Sequence, residues 1–301
     1  MNAQPAAVGL QPRAPAGRFG LSCASITPFT ATGQVDEARL VAHLQRCLAQ
    51  GCSSFTLFGT TGEGPSVDRR ERERAMHAVF AQLAPSQALV GVMANAPRDA
   101  AEQAQPLLEA GGRGVLLAPP SYFKGVPEDA LYAWFARAIE AMRNPRGVLL
   151  YHLPSVTAVP LPVALVGRLK AAFPGVVAGV KDSGGEWAYT EALLVAHPEL
   201  HILVGDERLL ARSIRHGGSG AINGFSNFCT PQLLPMVERG DEVPQVSALV
   251  TQLLGCPVTP AIKALVAHVA RDPAYSRCAP PLADLPEASL RPLAEALDRL
   301  A

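Results

Sequence analysis

Basic residues are plentiful in this sequence, but lysine is not. Only Lys124, Lys170, Lys181 and Lys263 occur among the 26 basic residues, and the other 22 are arginines. Neither sign of charge prevails, because 26 acidic residues bring the net charge to zero. The balance removes the basic excess that nucleic-acid binding needs, and no run of like charge suggests an interaction tail. Six cysteines (23, 47, 52, 229, 256 and 278) show no CxxC pair and no regular spacing. That excludes the disulfide framework of short secreted chains, and the six read as reduced core thiols. No run of 18 uncharged apolar residues occurs, so no membrane span is expected. The first 19 residues are rich in Ala, Pro and Gly and lack the long apolar stretch of a signal peptide. They read as a disordered arm on a cytoplasmic protein.

What remains is a chain of 301 residues, 49% hydrophobic and 17% charged, long enough for one large α/β domain or two modest ones. Short apolar runs alternate with longer amphipathic segments. The runs are LSCASITPF (21–29), SSFTLFGT (53–60), ALVGVMA (88–94), GVLLAPP (114–120), GVLLYHLP (147–154), VVAGVKD (176–182), HILVGDE (201–207) and SGAINGFS (219–226). Each precedes a helical pattern. Apolar runs without polar alternation fit parallel strands buried on both faces. Eight strand–helix units in succession predict a (β/α)8 TIM barrel, with a doubly wound open sheet as the alternative. The expected organisation is an arm over 1–19, a barrel over 20–240 and a helical extension over 241–301.

One apolar run ends oddly. VVAGVKDSGG (176–185) closes on Lys181. An ammonium ion in a buried strand carries a heavy desolvation cost, and a lysine there can lose its proton and become a nucleophile. The ordinary reading is a strand-end lysine that reaches to solvent. In a barrel, however, the C-terminal strand ends carry the chemistry. Those ends hold Thr60 and Thr61 in GTTGE, Tyr122, Tyr151, Lys181, Gly205, Asp206, Glu207 and Ile222. They lack the His/Asp/Glu cluster a metal needs, so no metal and no organic cofactor is expected.

These stretches resemble the dihydrodipicolinate synthase/N-acetylneuraminate lyase family of pyruvate-dependent class I aldolases. The matching residues are TP at 27–28, GTTGEGPS at 59–66, the tyrosine of YHLPS at 151–155, GVKDSGG at 179–185, GDE at 205–207, GAINGFSN at 220–227 and PAIKALV at 260–266. The resemblance implies that Lys181 forms a Schiff base with the keto carbon of pyruvate, and its apolar strand suits an amine that must be free to attack. Thr61 would hold the pyruvate carboxylate in a glycine-bounded turn, and Thr60 would join a proton relay. Tyr151 would shuttle the proton. Tyr122 would reach into a neighbouring subunit's site, which makes the protein a homo-oligomer, dimer or tetramer. The carbonyl of Ile222 would line the pyruvate site, and Glu63 reads as structural.

Two departures bear on the substrate. Synthases of the lysine pathway usually carry an arginine two residues after the YNxP proline, and here YHLPSV places Val156 there. Valine cannot clamp a carboxylate. His152 replaces the usual asparagine, as a contact to the substrate tail or as a supporting residue. GDE resembles the acidic pair that sugar-acid lyases turn towards hydroxyls, although Asp206 and Glu207 could equally form salt bridges at the rim. The expected activity is reversible cleavage of a hydroxylated 2-keto-3-deoxy acid to pyruvate and an aldehyde, with no partner beyond these small molecules. The alternatives are 4-hydroxy-tetrahydrodipicolinate synthase, a keto-deoxy sugar acid dehydratase, and a non-catalytic keto-acid-binding protein.

Overall fold

The computed structural model describes residues 17–300. Eight parallel strands close into a barrel in chain order. They are β1 (Gly20–Ala24), β2 (Ser54–Leu57), β3 (Ala88–Val92), β4 (Gly114–Leu117), β5 (Val148–His152), β6 (Val177–Asp182), β7 (His201–Val204) and β8 (Gly220–Asn223). The outer ring comprises α1 (Glu37–Ala49), α2 (Arg69–Phe80), α3 (Pro97–Glu109), α4 (Glu128–Ala141), the single turn α5 (Pro154–Thr157), α6 (Val163–Ala172), α7 (Trp187–Ala196), α8 (Leu210–Arg215) and α9 (Thr230–Arg239). Three more helices follow, α10 (Pro244–Leu253), α11 (Val258–Ala270) and α12 (Glu287–Asp298). No helix among the described residues is long and apolar enough to cross a membrane.

The strands bury both faces, which is why their sequences lack alternation. One face fills the barrel with Leu89, Leu116, Leu149, Tyr151, Leu203 and Ile222. The other packs against the helices through residues such as Val90, Val115, Val148 and Val180. Tyr151 therefore belongs to the barrel interior by its ring while its hydroxyl reaches the mouth.

The strands are shorter than the apolar runs that mark them. The run from 21 to 29 pairs only as far as Ala24, yet Ile26 and Phe29 beyond it are fully buried. Apolar sequence reports burial, and the loop that follows β1 is itself buried. At the other end, residues 1–16 of the expected arm lie outside the described residues. Phe19, which closes that arm in the sequence reading, is buried in the barrel interior and donates its N–H to the Ser219 carbonyl at 2.7 Å. The Arg113 guanidinium stacks over its ring at 3.8 Å. The packed barrel thus begins just before β1.

The C-terminal helices are tied to the mouth by a buried ion pair. Lys263 of α11 is fully buried and meets Glu63, while its Nζ also donates to the Thr27 carbonyl at 2.9 Å. Glu63 accepts a second bond from the Ala279 N–H at 2.7 Å. Burial lowers the pKa of Lys263, and the facing Glu63 carboxylate opposes that shift. All six cysteines are free thiols.

Candidate active site

Lys181 and Tyr151 are register partners on the neighbouring strands β6 and β5. Parallel pairing at one level turns both side chains to the same side of the sheet. Lys181 is only 5% exposed, and its Nζ donates to the Tyr151 hydroxyl at 3.3 Å. That hydroxyl lies 3.2 Å from Oγ1 of Thr60. An amine, a phenol and an alcohol therefore form a continuous hydrogen-bonded chain, through which a proton can pass without a free water.

Thr60 is held by an unusual turn. Phe58 and Glu63, which bracket GTTG, both adopt positive φ near 50° (54° and 52°). Non-glycine residues in this region cost free energy, and the surroundings must enforce them. Several do. Thr27 donates its hydroxyl to the Gly62 carbonyl at 2.6 Å. The buried Arg72 donates to the carbonyls of Gly64 (2.6 Å), Val67 (3.2 Å) and Gly91 (3.2 Å). It stacks 5.2 Å above the Phe58 ring, and burial without a carboxylate partner lowers its pKa to about 10. Gly62 and Gly64 are required here, since a Cβ at either would strike backbone atoms (2.8 Å from the Ser25 oxygen and 2.0 Å from the Phe58 oxygen). Arg72 and Thr27 are supports that the sequence motifs contain without revealing.

A cavity of about 240 Å³ opens over this chain of groups. Thr60, Thr61, Tyr151, Lys181, Gly205, Asp206, Glu207 and Ile222 all line it, so the structure gathers every expected residue except Tyr122. Gly205 makes room for the Ser183 side chain beside the lysine: a Cβ there would sit 2.0 Å from the Ser183 hydroxyl. Ile222 is fully buried, with its side chain in the barrel interior. Tyr122 is 75% exposed on the loop after β4, packed edge-to-face on Phe123.

Both acidic residues are bonded within the chain, Asp206 through both carboxylate oxygens and Glu207 through one. Both carboxylate oxygens of Asp206 accept from the Arg208 guanidinium, at 3.0 and 2.7 Å. Glu207 is buried and accepts from the Phe225 N–H at 3.0 Å; burial pushes its pKa up to about 7. His152 does not line the cavity. Its ring stacks on Tyr189 at 3.9 Å, its Nδ1 accepts from the Leu161 N–H, and burial lowers its pKa to about 4. Of the two readings left open by the sequence, the structure shows the supporting residue.

Sequence reasoning missed two features. The far wall of the cavity comes from Val250 and Leu253 of α10 and Val258 and Ile262 of α11, more than 60 residues after Lys181. Secondly, Cys23, His43 and Cys47 converge with their polar atoms within 4.8 Å of one another, although they lack motif spacing. Both ring nitrogens of His43 are engaged, Nε2 with Oδ1 of Asn227 and Nδ1 with Arg46, each at 2.8 Å. The imidazole thus has no lone pair left over for a metal, and the group reads as a buried polar network joining α1 to the loop after β8.

The family model described as the dihydrodipicolinate synthetase family matches residues 18–290. The chain is 31% identical over 277 residues to an uncharacterized DapA-like lyase of Chloroflexus aurantiacus, covering 90% of this chain and 89% of that one. It is 30% identical to a 4-hydroxy-tetrahydrodipicolinate synthase of Rhizobium meliloti over 206 residues, 68% of this chain and 69% of the relative. A crystal structure of dihydrodipicolinate synthase from Agrobacterium tumefaciens superposes with a TM-score of 0.92 at 49% identity, covering 94% of this chain and 99% of that one.

Proposed function

The chain belongs to the dihydrodipicolinate synthetase family, and from that premise we propose a pyruvate-dependent class I lyase that works through a Schiff base on Lys181. The reaction is reversible cleavage of a hydroxylated 2-keto-3-deoxy acid to pyruvate and an aldehyde. The observation that carries this reading is the bonded series Lys181 Nζ, Tyr151 hydroxyl, Thr60 hydroxyl, buried at the floor of a cavity.

In the synthetic direction the Lys181 amine attacks the keto carbon of pyruvate, and the carbinolamine loses water to give an imine. Tyr151 delivers the proton that leaves with the hydroxyl and is reloaded through Thr60. Thr61, in a turn with exposed amides, receives the carboxylate. The protonated imine withdraws electrons from the adjacent methyl, which gives a proton to the Tyr151–Thr60 series and leaves an enamine. The enamine carbon bonds to the aldehyde carbon while the aldehyde oxygen takes a proton from Tyr151. Water then releases the 4-hydroxy-2-keto acid and frees the amine. The chemistry needs no metal and no organic cofactor.

The names of the relatives favour a second reading, condensation of pyruvate with aspartate semialdehyde. Val156 weighs against it, because it offers no cation to the semialdehyde carboxylate. The protein is read as cytoplasmic and as a homo-oligomer, dimer or tetramer, in which the exposed Tyr122 serves a neighbouring subunit's site.

Borohydride reduction with pyruvate present tests the mechanism. The expected result is a reduced pyruvate adduct on the peptide carrying Lys181, none on the Lys181→Ala variant, and loss of turnover in that variant with its circular dichroism unchanged. An unmodified Lys181, or a Lys181→Ala protein that still turns over, defeats it.

A further inference from the structure

The cavity lining has two parts of different character. Lys181, Tyr151 and Thr60 form the reacting end. Apolar lining comes from Val156, Phe225, Leu253, Leu254, Val258 and Ile262. Several of these are not ordinary core residues. Val156 is 62% exposed, Leu254 48% and Val258 42%, so they hold apolar surface at the mouth against water. Isolated exposed apolar residues need no explanation, but three around one catalytic opening form a patch that a ligand can cover.

The charge pattern points the same way. Lys181 is the only lysine or arginine lining the cavity among the described residues, and on Schiff-base formation its charge stays on the imine beside the pyruvate carboxylate. A carboxylate or phosphate on the aldehyde would meet no second cation in the cavity lining. The polar lining beyond the reacting end is short: Ser155, Ser183, Asn223 and Thr259, with Asp206 already bonded through both oxygens to Arg208 and Glu207 bonded through Oε1 to the Phe225 N–H. Hydroxyls of a long polyol that reach past these groups to the apolar wall lose water without gaining a partner, which is costly.

We propose that the aldehyde admitted by this site is uncharged and carries an apolar substituent, aliphatic or aromatic. The substrate in the cleavage direction is then a 4-hydroxy-2-keto acid with that substituent on C4. The bond made and broken joins the pyruvate methyl carbon to the aldehyde carbon, and the only oxygen the aldehyde contributes becomes the 4-hydroxyl. The proposal rests on the Schiff-base reading, and it specifies what that reading leaves open.

The test has two separable arms. Borohydride trapping with pyruvate alone reports the Schiff base irrespective of any aldehyde. Pyruvate consumption is then followed with propanal, butanal, hexanal and benzaldehyde, and with glyceraldehyde and aspartate semialdehyde. Over the aliphatic series kcat/KM is expected to rise about fourfold per methylene, the equivalent of ~0.8 kcal/mol per buried CH2. Hexanal and benzaldehyde should exceed glyceraldehyde and aspartate semialdehyde at least tenfold. Two substitutions at solvent-exposed positions sharpen the result. Val156→Arg should raise kcat/KM for aspartate semialdehyde and lower it for hexanal, and Leu254→Ser should lower it for hexanal. Both should leave trapping by pyruvate unchanged. Normal trapping with glyceraldehyde or aspartate semialdehyde as good a substrate as hexanal, or with no apolar aldehyde turned over, overturns the proposal and leaves the Schiff base standing. Absence of trapping defeats the underlying mechanism instead.

Discussion

Tyr151 stands between a donor amine and an alcohol, and the proposed reaction passes its protons through this hydroxyl. The ring is 3% exposed and packed in the barrel interior, so Tyr151→Phe removes one oxygen without opening a void. General acid–base groups of this kind supply roughly 10²–10⁴-fold in rate. The variant is therefore expected to lose about 10²–10³ in kcat while retaining its melting temperature within a few degrees. Thr60→Val should show a smaller loss, because water can replace one end of a relay more easily than its centre. Steady-state assays by pyruvate release, with thermal denaturation alongside, check both. A Tyr151→Phe enzyme with near-normal kcat would place the proton transfer elsewhere. At this scale the sequence was informative wherever chemistry and strand ends coincide, since Lys181, Tyr151 and Thr60 were all legible there. His152 was not, because whether a histidine meets substrate or stacks on a neighbour depends on Tyr189, which is 37 positions away and belongs to another element.

The elements that frame the site are held by one long-range pair. Glu63 lies in the turn after β2 and Lys263 in α11, 200 positions apart, and both side chains are completely buried. Breaking such a pair leaves an uncompensated charge in a low-dielectric interior, which costs about 3–5 kcal/mol. Glu63→Gln and Lys263→Met are each expected to cost that order in urea denaturation. The double substitution should regain a large part, since neither charge is then stranded, and the double-mutant cycle reads the coupling directly. Additive losses would show that the pair does not act as a unit. Neither residue touches the reacting atoms, yet both variants should raise KM for the aldehyde, because α11 carries Val258 and Ile262 of the cavity wall. The barrel itself was readable from eight apolar runs, each bounded by a helical pattern. The wall made by α10 and α11 was not. An amphipathic pattern says that a helix has a buried face but never names what that face covers.

Considered as one molecule, the protein presents an exposed aromatic pair, Tyr122 and Phe123, on the same barrel end as the cavity. Sedimentation is expected to show an assembly larger than one chain, and Tyr122→Asp should shift it towards monomer with loss of activity; a fully active monomer would remove Tyr122 from the mechanism. Global stability carries a second signature, because two buried groups titrate in opposite senses. His152 is lowered from 6.5 to about 4, so between those values the unfolded chain binds a proton that the folded one does not, and stability rises with pH. Glu207 is raised from 4.5 to about 7, so there the folded chain holds the extra proton, and stability falls as pH rises. Asp182, raised by burial while accepting from Thr190 at 2.6 Å, adds to the fall just above the ordinary carboxylate range. From about pH 4.5 to 6.5 the two principal slopes oppose and nearly cancel, each being about 1.4 kcal/mol per pH unit. The wild-type unfolding free energy should consequently be nearly flat across that window and fall above it until Glu207 is ionised. Removing one partner unmasks the other. Glu207→Gln keeps an acceptor for the Phe225 N–H and should gain roughly 3 kcal/mol at pH 8, with a stability that now climbs from pH 4.5 to 6.5. His152→Asn should show the reverse slope. Urea titrations at half-unit pH steps distinguish these profiles, and parallel curves for all three proteins would mean that neither group is buried as the structure has it.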